Sequence, residues 1–302
     1  MYDILILGGG HAGLSAAICA ARMNRRALIV ERGIDWSRDQ WARHILNYLG
    51  YPEGISARRL REKGEEQGAL YGVRWAQDNV ESLRVTEKGF IAEGRDETYE
   101  GRAIVLATGV LDREPEIANA PDFEGYDLHY CLLCDGYEMR GQRVAVIGYT
   151  DGAVSDARIL AHDFDCEVVI CTDGREPQFT PESQDELREH SVRLRKEKIA
   201  RFVGAPRTFG GLEGIEFEGG DTLALPTALA ALGVDVKVKL AQDLGVELNG
   251  QGYVKVDERA ATNVPGFYAA GDITGGFNQT VVAAGQGAVA GLAAATDLRH
   301  TP

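Results

Sequence analysis

The sequence predicts an α/β protein made of two Rossmann-like, doubly wound nucleotide-binding domains, each with three layers, the second inserted in the first. Two strand–turn–helix patterns lead to this prediction. Residues 4–7 form an apolar run that ends in the glycine turn GGGHAG and a helix of small residues, and residues 143–148 (RVAVIG) again lead into a turn and a helix. A buried-strand pattern returns near the C-terminus in VPGFYAAGD. We therefore expect residues 1–113 and 227–302 to form the first domain and residues 114–226 the inserted one.

Composition narrows the class of protein. The chain has 302 residues, 44% of them hydrophobic, and a formal net charge of −14. A strongly acidic chain is not attracted to nucleic acid or to an anionic membrane surface, so we expect neither as a partner. No apolar run reaches about 18 residues, the length that a membrane-spanning helix needs. The five cysteines are too few and too irregularly spaced for a secreted disulfide scaffold, which favours a cytoplasmic location.

The first glycine turn has the spacing of a dinucleotide-binding motif, GxGxxG. Gly8 permits the tight turn, Gly10 lets the backbone approach a pyrophosphate, and Gly13 lets the helix pack against the strand. The next strand, ALIV, ends at Glu31, whose carboxylate can hold a ribose hydroxyl pair. These features predict a dinucleotide site rather than a mere tight turn. His11 is expected to fill a variable loop position without a catalytic role.

The second turn departs from this motif. Gly148 is followed by the bulky Tyr149, and Thr150 stands where the motif needs a glycine, so its side chain meets any approaching pyrophosphate. The following strand ends at Asp173, an acidic terminus where a site for NADPH would carry arginines. We therefore expect NADPH not to bind here in the usual pose. The aromatic face of Tyr149 and the Asp173 carboxylate leave open a second nucleotide ligand of another kind.

The stretch YCLLCDG, residues 130–136, carries the chemistry. Cys131 and Cys134 have the C-x-x-C spacing that lets two thiols cycle as a disulfide, and Asp135 is placed to move protons as thiol and thiolate interconvert. A zinc site would use His129 with the two cysteines, but no second C-x-x-C or H-x3-5-H completes a ligand set, so we expect no metal. Inert packing is the third alternative, and it is the role expected for the other three cysteines.

Taken together and in order, GGGHAG, LATG, CLLCDG, FYAAGD and QTVVAAGQG resemble the low-molecular-weight thioredoxin reductases over nearly the whole chain. The resemblance implies a homodimer with FAD in the first domain and a pyridine-nucleotide-type inserted domain. It also implies that Cys134 is the flavin-proximal sulfur, Cys131 the sulfur that exchanges with substrate, and Asp135 the acid. The residues that it implies for FAD binding are Gly8, Gly10, Ala12, Gly13, Glu31, Asn47, Thr108, Gly109, Gly271, Asp272, Gln279, Thr280 and Val281.

The departures at the second turn make the chain similar to the pyridine-nucleotide-independent branches of that family. These branches include ferredoxin-fed flavin reductases, diflavin-linked disulfide oxidoreductases and dithiol oxidases that pass electrons to oxygen. We expect an FAD-dependent thiol–disulfide oxidoreductase that acts on a thioredoxin-like protein or a small dithiol or disulfide, with a protein electron donor as one option. The degenerate second site is open to a second flavin or another nucleotide. The alternatives are an oxygen-dependent dithiol oxidase, an NADPH-dependent thioredoxin reductase with an atypical loop, and a non-catalytic flavoprotein that serves as a binding module.

Overall fold

The protein divides into two compact units, seen in a computed structural model that describes residues 1–190 and 192–299. The first unit comprises Met1–Leu111 and the chain from Val236 onward, and the second comprises Asp112–Asp235. The predicted fold class is confirmed, because both units carry the α/β arrangement of parallel strands and crossover helices expected of Rossmann-like domains.

The first unit takes elements from both ends of the chain. Its N-terminal part contains β1 (Tyr2–Leu7), α1 (His11–Arg22), β2 (Ala27–Glu31), α2 (Ala57–Leu70), β3 (Arg74–Gln77), β4 (Val80–Thr86), β5 (Gly89–Gly94), β6 (Thr98–Leu106) and the start of β7 (Val110–Asp112). The second unit contains β8 (Leu128–His129), α3 (Leu132–Asp135), β9 (Arg143–Ile147), α4 (Asp151–Asp163), β10 (Glu167–Cys171), α5 (Pro181–Glu189), β11 (Arg193–Arg195), β12 (Ile199–Gly204), β13 (Leu212–Phe217), β14 (Thr222–Ala224), β15 (Thr227–Ala230) and most of β16 (Val234–Val236). The C-terminal part adds α6 (Lys239–Gln242), β17 (Phe267–Ala269) and α7 (Thr280–Asp297).

The sheet of the first unit brings four strand ends to one edge. Its strands run in the order β3-β2-β1-β6-β5-β4, and β17 also pairs with β6. The pairs β1–β2, β1–β6, β2–β3 and β17–β6 are parallel, whereas β4, β5 and the first half of β6 form an antiparallel meander. Because parallel strands end on the same side, the loops after β1, β2, β6 and β17 share the edge at which α/β proteins bind ligands.

The second unit has a parallel sheet in the order β11-β10-β9-β15-β8, with the antiparallel strands β12-β13-β14 beside it. The second unit extends past the domain boundary expected at residue 226, because it includes strand β15. This strand lies in the second unit, where Thr227–Ala230 pair with Val144–Ile147 of β9, so the chain returns to the first unit only at Val236. Its apolar sequence predicts a buried strand but does not say which sheet takes it.

Helices α1 and α7 pack closely because both have small residues at the contact. A Cβ on Gly287 would collide with the Ala12 carbonyl, and one on Gly291 would collide with the Ala16 carbonyl. Glycine at these two positions therefore lets the backbones of the two helices touch. This contact joins the N-terminal turn of the chain to its last described helix.

Within the described part of the chain, no helix is both long and apolar enough to cross a membrane.

Candidate functional site

The turn between β1 and α1 is shaped by its glycines. Gly8 has φ of 108°, and a Cβ there would collide with the Ala107 carbonyl, so the turn is pressed against the end of β6. A Cβ on Gly13 would collide with the Gly8 carbonyl, which explains how α1 packs so near the strand. Gly10 differs, since a Cβ there would find no atom within 4 Å. The turn Gly8–Gly13, here called the cradle, thus has open space at Gly10, where the sequence predicts a pyrophosphate.

The predicted cofactor residues at the other strand ends lie against this turn. The Glu31 carboxylate, at the end of β2, abuts Gly9, where a Cβ would come within 2.5 Å of Oε2. The Thr108 backbone follows β6 and approaches Gly8, and Gly271 follows β17 and faces Ala12. The structure therefore brings together Gly8, Gly10, Ala12, Gly13, Glu31, Thr108, Gly109, Gly271 and Asp272 at one edge of the sheet.

The remaining predicted flavin contacts lie on the loop after β2 and at the start of α7. Gln279 is the N-cap of α7, and Thr280 and Val281 are its first two residues, with Val281 38% exposed. Asn47 is exposed, in the stretch between the bridge partners Ile45 and Ile55. The structure gives no contact that joins Asn47 to the glycine turn, and its role stays a prediction.

Several buried polar atoms at this edge have no hydrogen-bond partner among the described residues. They are His11 Nε2, Asp39 Oδ2, Arg61 Nη1, Thr108 Oγ1 and, just before α7, Asn278 Oδ1. Buried polar groups are nearly always satisfied in folded proteins, so a cluster of them indicates that a polar ligand completes the site. Open space at Gly10 and these donors and acceptors fit a dinucleotide with a pyrophosphate and hydroxyl groups.

Two arginines pair with the predicted acidic residues. Arg61 of α2 donates to the Glu31 carboxylate and, at 2.9 Å, to Glu65, and it is 5% exposed. Arg38 donates to Asp272 Oδ2 at 3.0 Å. Sequence reasoning missed both arginines, because no local pattern shows which arginine of a polar stretch turns inward.

The structure also corrects the expectation that His11 fills an ordinary loop position. Its side chain is 8% exposed, and Nδ1 lies 3.3 Å from Asp39 Oδ1. A histidine at the first position of α1, buried against a carboxylate, is part of the cradle rather than of the solvent-facing loop.

Cys131 and Cys134 form a disulfide in the second unit, with Cα atoms 5.2 Å apart. Both are half-buried, and Cys131 is the N-cap of the short helix α3. Asp135 Oδ2 lies 3.3 Å from His129 Nδ1, so an imidazole and a carboxylate stand next to the cysteine pair in the chain. The zinc alternative for His129 finds no support, because among residues 1–190 and 192–299 no three or more His, Cys, Asp or Glu are grouped as metal ligands.

The other three cysteines, Cys19, Cys166 and Cys171, are free thiols. Burial raises the pKa of each, and that of Cys171 to about 12. A thiol that stays protonated is a poor nucleophile. These three thiols are therefore not expected to take part in thiol–disulfide exchange, which leaves the Cys131–Cys134 pair as the candidate.

A buried acid also precedes the disulfide. The Tyr130 hydroxyl donates to Glu124 Oε1 at 2.5 Å, and Glu124 is 1% exposed. Burial raises the pKa of Glu124, and burial followed by the Glu124 contact raises the pKa of Tyr130. The pair fixes the backbone immediately before Cys131.

The second nucleotide turn is closed by the chain itself. Gln178 N–H donates to the Tyr149 carbonyl at 2.7 Å, and Thr180 N–H donates to Asp151 Oδ1 at 2.8 Å. The Arg175 guanidinium lies 5.1 Å from the centre of the Tyr149 ring. The turn is thus bonded to the segment after β10, and Asp151 places a carboxylate at the first position of α4, where an approaching pyrophosphate would meet a like charge.

The two groups that could serve a second nucleotide ligand are also engaged. Asp173, with φ of 51°, accepts a hydrogen bond from Ile199 N–H at 2.8 Å, and Arg175 both covers Tyr149 and donates to Glu116 at 2.9 Å. The carboxylate and the aromatic face are therefore used within the second unit.

A fold of two Rossmann-like units with a C-x-x-C disulfide in the second one is that of a disulfide oxidoreductase. Residues 2–287 match the family described as pyridine nucleotide-disulphide oxidoreductase. The chain belongs to this family, whose members bind FAD, and within it the chain is similar to the thioredoxin reductases.

Known relatives cover the chain almost completely. A 34.2 kDa protein in the rubredoxin operon of Clostridium pasteurianum is 30% identical over 297 residues, which span 97% of this chain and 96% of that protein. Thioredoxin reductase from Streptococcus pyogenes MGAS5005 has a similar structure, with a TM-score of 0.89, 26% identity and 99% of each chain covered. The atypical thioredoxin reductase TRi from Desulfovibrio vulgaris Hildenborough is 35% identical, with a TM-score of 0.56, over 100% of this chain and 99% of that one.

Proposed function

We propose that the protein is an FAD-dependent thiol–disulfide oxidoreductase of the branch that does not use NADPH at the standard site. One observation carries the proposal: the Cys131–Cys134 disulfide lies in a unit whose nucleotide turn is hydrogen-bonded to its own chain. The pair supports redox exchange, and the closed turn argues against a nicotinamide cofactor. The reductase from Desulfovibrio vulgaris, at 35% identity, is likewise described as an atypical thioredoxin reductase.

The proposed chemistry uses residues of both units. FAD, when bound, supplies a centre that gives or takes two electrons, and the cradle at Gly10 with Glu31, Thr108 and the start of α7 would hold it. In the second unit, reduction of the disulfide yields two thiols and takes up two electrons and two protons. The Cys131 thiolate then attacks a partner disulfide, and Cys134 attacks the mixed disulfide, which releases the partner as a dithiol and restores the Cys131–Cys134 bond. Asp135 exchanges the protons.

The partner is proposed to be a thioredoxin-like protein or a small dithiol or disulfide. Two apolar side chains next to the cysteines support a protein surface: Leu133 is 55% exposed and Tyr137 67% exposed. We propose a homodimer because the apolar side chains Val289 and Leu292 of α7 are exposed, at 42% and 43%, and a second copy would cover them. Light scattering measures the number of chains per particle. A protein electron donor and a cytoplasmic location also remain parts of the proposal. The closed turn favours one FAD per chain over two. The amount of flavin released on denaturation, divided by the amount of protein, measures this number.

The donor test follows from the closed turn. We expect the FAD-loaded protein, mixed anaerobically with NADPH or NADH, to keep its flavin absorbance over the time in which dithiothreitol bleaches it completely. The physical reason is that Thr150 replaces the glycine of the motif and Asp151 places a carboxylate at the first position of α4, where the pyrophosphate of a nicotinamide cofactor would lie. Dithionite is the control for a reducible flavin. Rapid bleaching by NADPH would make the protein an NADPH-dependent thioredoxin reductase with an atypical loop.

A second candidate, an oxygen-dependent dithiol oxidase, is favoured by His129. Dithiol oxidases of the resembling branch often carry histidine where this chain has Asp135, and here an imidazole lies 3.3 Å from that carboxylate. We expect such an oxidase to consume oxygen with dithiothreitol and to release equimolar hydrogen peroxide, with His129→Gln slowing it by about a hundredfold as for a lost acid–base group. An oxygen electrode and a peroxide assay measure this. Absence of oxygen uptake by the FAD-loaded protein would exclude the candidate.

A further inference from the structure

The pair formed by His11 and Asp39 is the feature of the cradle that the predicted cofactor contacts do not use. The short 3₁₀ turn Arg38–Gln40 carries Asp39 to the first residue of α1, where the two side chains are 8% and 12% exposed. His11 Nδ1 faces Asp39, so Nε2, on the far edge of the ring, points away from that carboxylate. Neither Nε2 nor Asp39 Oδ2 has a hydrogen-bond partner among the described residues.

A purely structural role does not account for these atoms. An ion pair that only tied the Arg38–Gln40 turn to α1 would need His11 Nδ1 and one Asp39 oxygen. It would leave the other nitrogen and the other oxygen buried and unsatisfied, which is unfavourable for each group. Because His11 follows Gly10 directly at the start of α1, a polar ligand bound over the glycine turn is the partner that would satisfy them.

The charges at this edge point to an anionic group of that ligand. Arg38 at this edge is bound to Asp272, and Arg61 is bound to Glu31 but keeps its Nη1 without a partner among the described residues. A pyrophosphate brings two negative charges, and the N-terminus of α1 supplies only a partial positive one. With an acceptor at each ring nitrogen of His11, the Asp39 carboxylate at Nδ1 and a phosphate oxygen at Nε2, the ring would bind both groups as a double donor, which only a protonated imidazole is.

We propose that His11 is a cofactor-binding residue, donating a hydrogen bond from Nε2 to the dinucleotide pyrophosphate, and that Asp39 is a positioning residue that holds the ring through Nδ1. The inference rests on FAD binding as proposed above. It adds to the glycine turn a side chain that distinguishes a diphosphate from a monophosphate.

The test is binding rather than turnover. FAD affinity is measured by quenching of flavin fluorescence on reconstituting the apoprotein, and ADP and AMP are used as competitors that do and do not carry a diphosphate. We expect His11→Gln to weaken FAD and ADP by about tenfold to a hundredfold, the effect of one charge-assisted hydrogen bond, and to leave AMP within about twofold. Asp39→Asn, which keeps the size of the side chain, should weaken FAD and ADP binding by a smaller factor and again leave AMP binding nearly unchanged.

The control is His44→Gln, because His44 is an exposed histidine of the loop that carries Asp39, with its Nε2 2.9 Å from the Glu53 carbonyl. It should leave all three affinities unchanged. If the wild type retains FAD but His11→Gln binds FAD and ADP as the wild type does, the inference fails while the proposed function stands. Equal losses for ADP and AMP, with a lower melting temperature of the apoprotein, would also overturn it in favour of a structural role. If the wild type binds no FAD, both the inference and the proposed function fail. If His11→Gln does not fold, the Asp39→Asn variant provides the test instead.

Discussion

Replacing Cys134 with serine should lower turnover with dithiol or disulfide substrates by at least about a thousandfold, the scale seen when an essential reactive group is removed. The disulfide can no longer form, so electrons entering at the flavin have no thiol pair to reach. FAD binding should remain intact, because the cradle lies in the first unit and Cys134 in the second. Stopped-flow bleaching by dithiothreitol and steady-state reduction of a model disulfide measure the two halves of the reaction.

Cys19→Ser is the matched control for that change. Cys19 is a free, half-buried thiol in α1 whose pKa is raised by burial, so it should not take part in exchange. Its variant should stay within about twofold of the wild type, since substitutions away from the reacting groups cost little. If Cys134→Ser kept a tenth or more of the activity, the disulfide would not be the exchanging group.

Two glycine-to-alanine changes should separate cofactor binding from folding. Gly10 has φ of −69° and open space at its Cβ position, so alanine fits the protein itself. The methyl group would stand where a pyrophosphate passes over the turn, and we expect Gly10→Ala to weaken FAD by about a hundredfold or more. The unfolding free energy of the apoprotein should change by less than about 1 kcal/mol.

Gly13→Ala is the opposite case. Its Cβ would collide with the Gly8 carbonyl, and because that atom is backbone it cannot move without displacing the turn. We expect a loss of about 3 kcal/mol or more, measured by urea denaturation of the apoprotein. If Gly10→Ala retained FAD at wild-type affinity, the pyrophosphate would not lie over Gly10 as predicted.

The sequence predicts best what is encoded locally. β1, the glycine turn and α1 follow from an apolar run and helical spacing within about 20 residues of chain, and Glu31 follows at the end of the next strand. The C-x-x-C pair is equally local, and its two cysteines form the disulfide that was expected. The closure of the second turn could be anticipated only in part: Tyr149 and Thr150 are visible in the sequence, whereas the partnership with Gln178 and Thr180 is not.

Contacts between distant residues account for what the sequence does not reveal. Arg61 meets Glu31 across 30 positions and Arg38 meets Asp272 across 234, so no spacing rule connects them. The local sequence around His11 indicates no role for this residue, because Asp39 reaches it only in the folded protein. Strand β15 was assigned to the wrong side of a domain boundary for the same reason, since an apolar run fits either sheet.

The contact between α1 and α7 also sets the order in which a newly made chain can be completed. The glycine turn before α1 is translated before the second unit, but Gly287 and Gly291, which let α7 settle onto α1, are translated only after that unit. The second unit, formed by one continuous stretch, can fold while synthesis is still under way. The contact between α1 and α7 therefore forms only once α7 has been made, and a chain that stops before α7 would lack the helix that packs on α1.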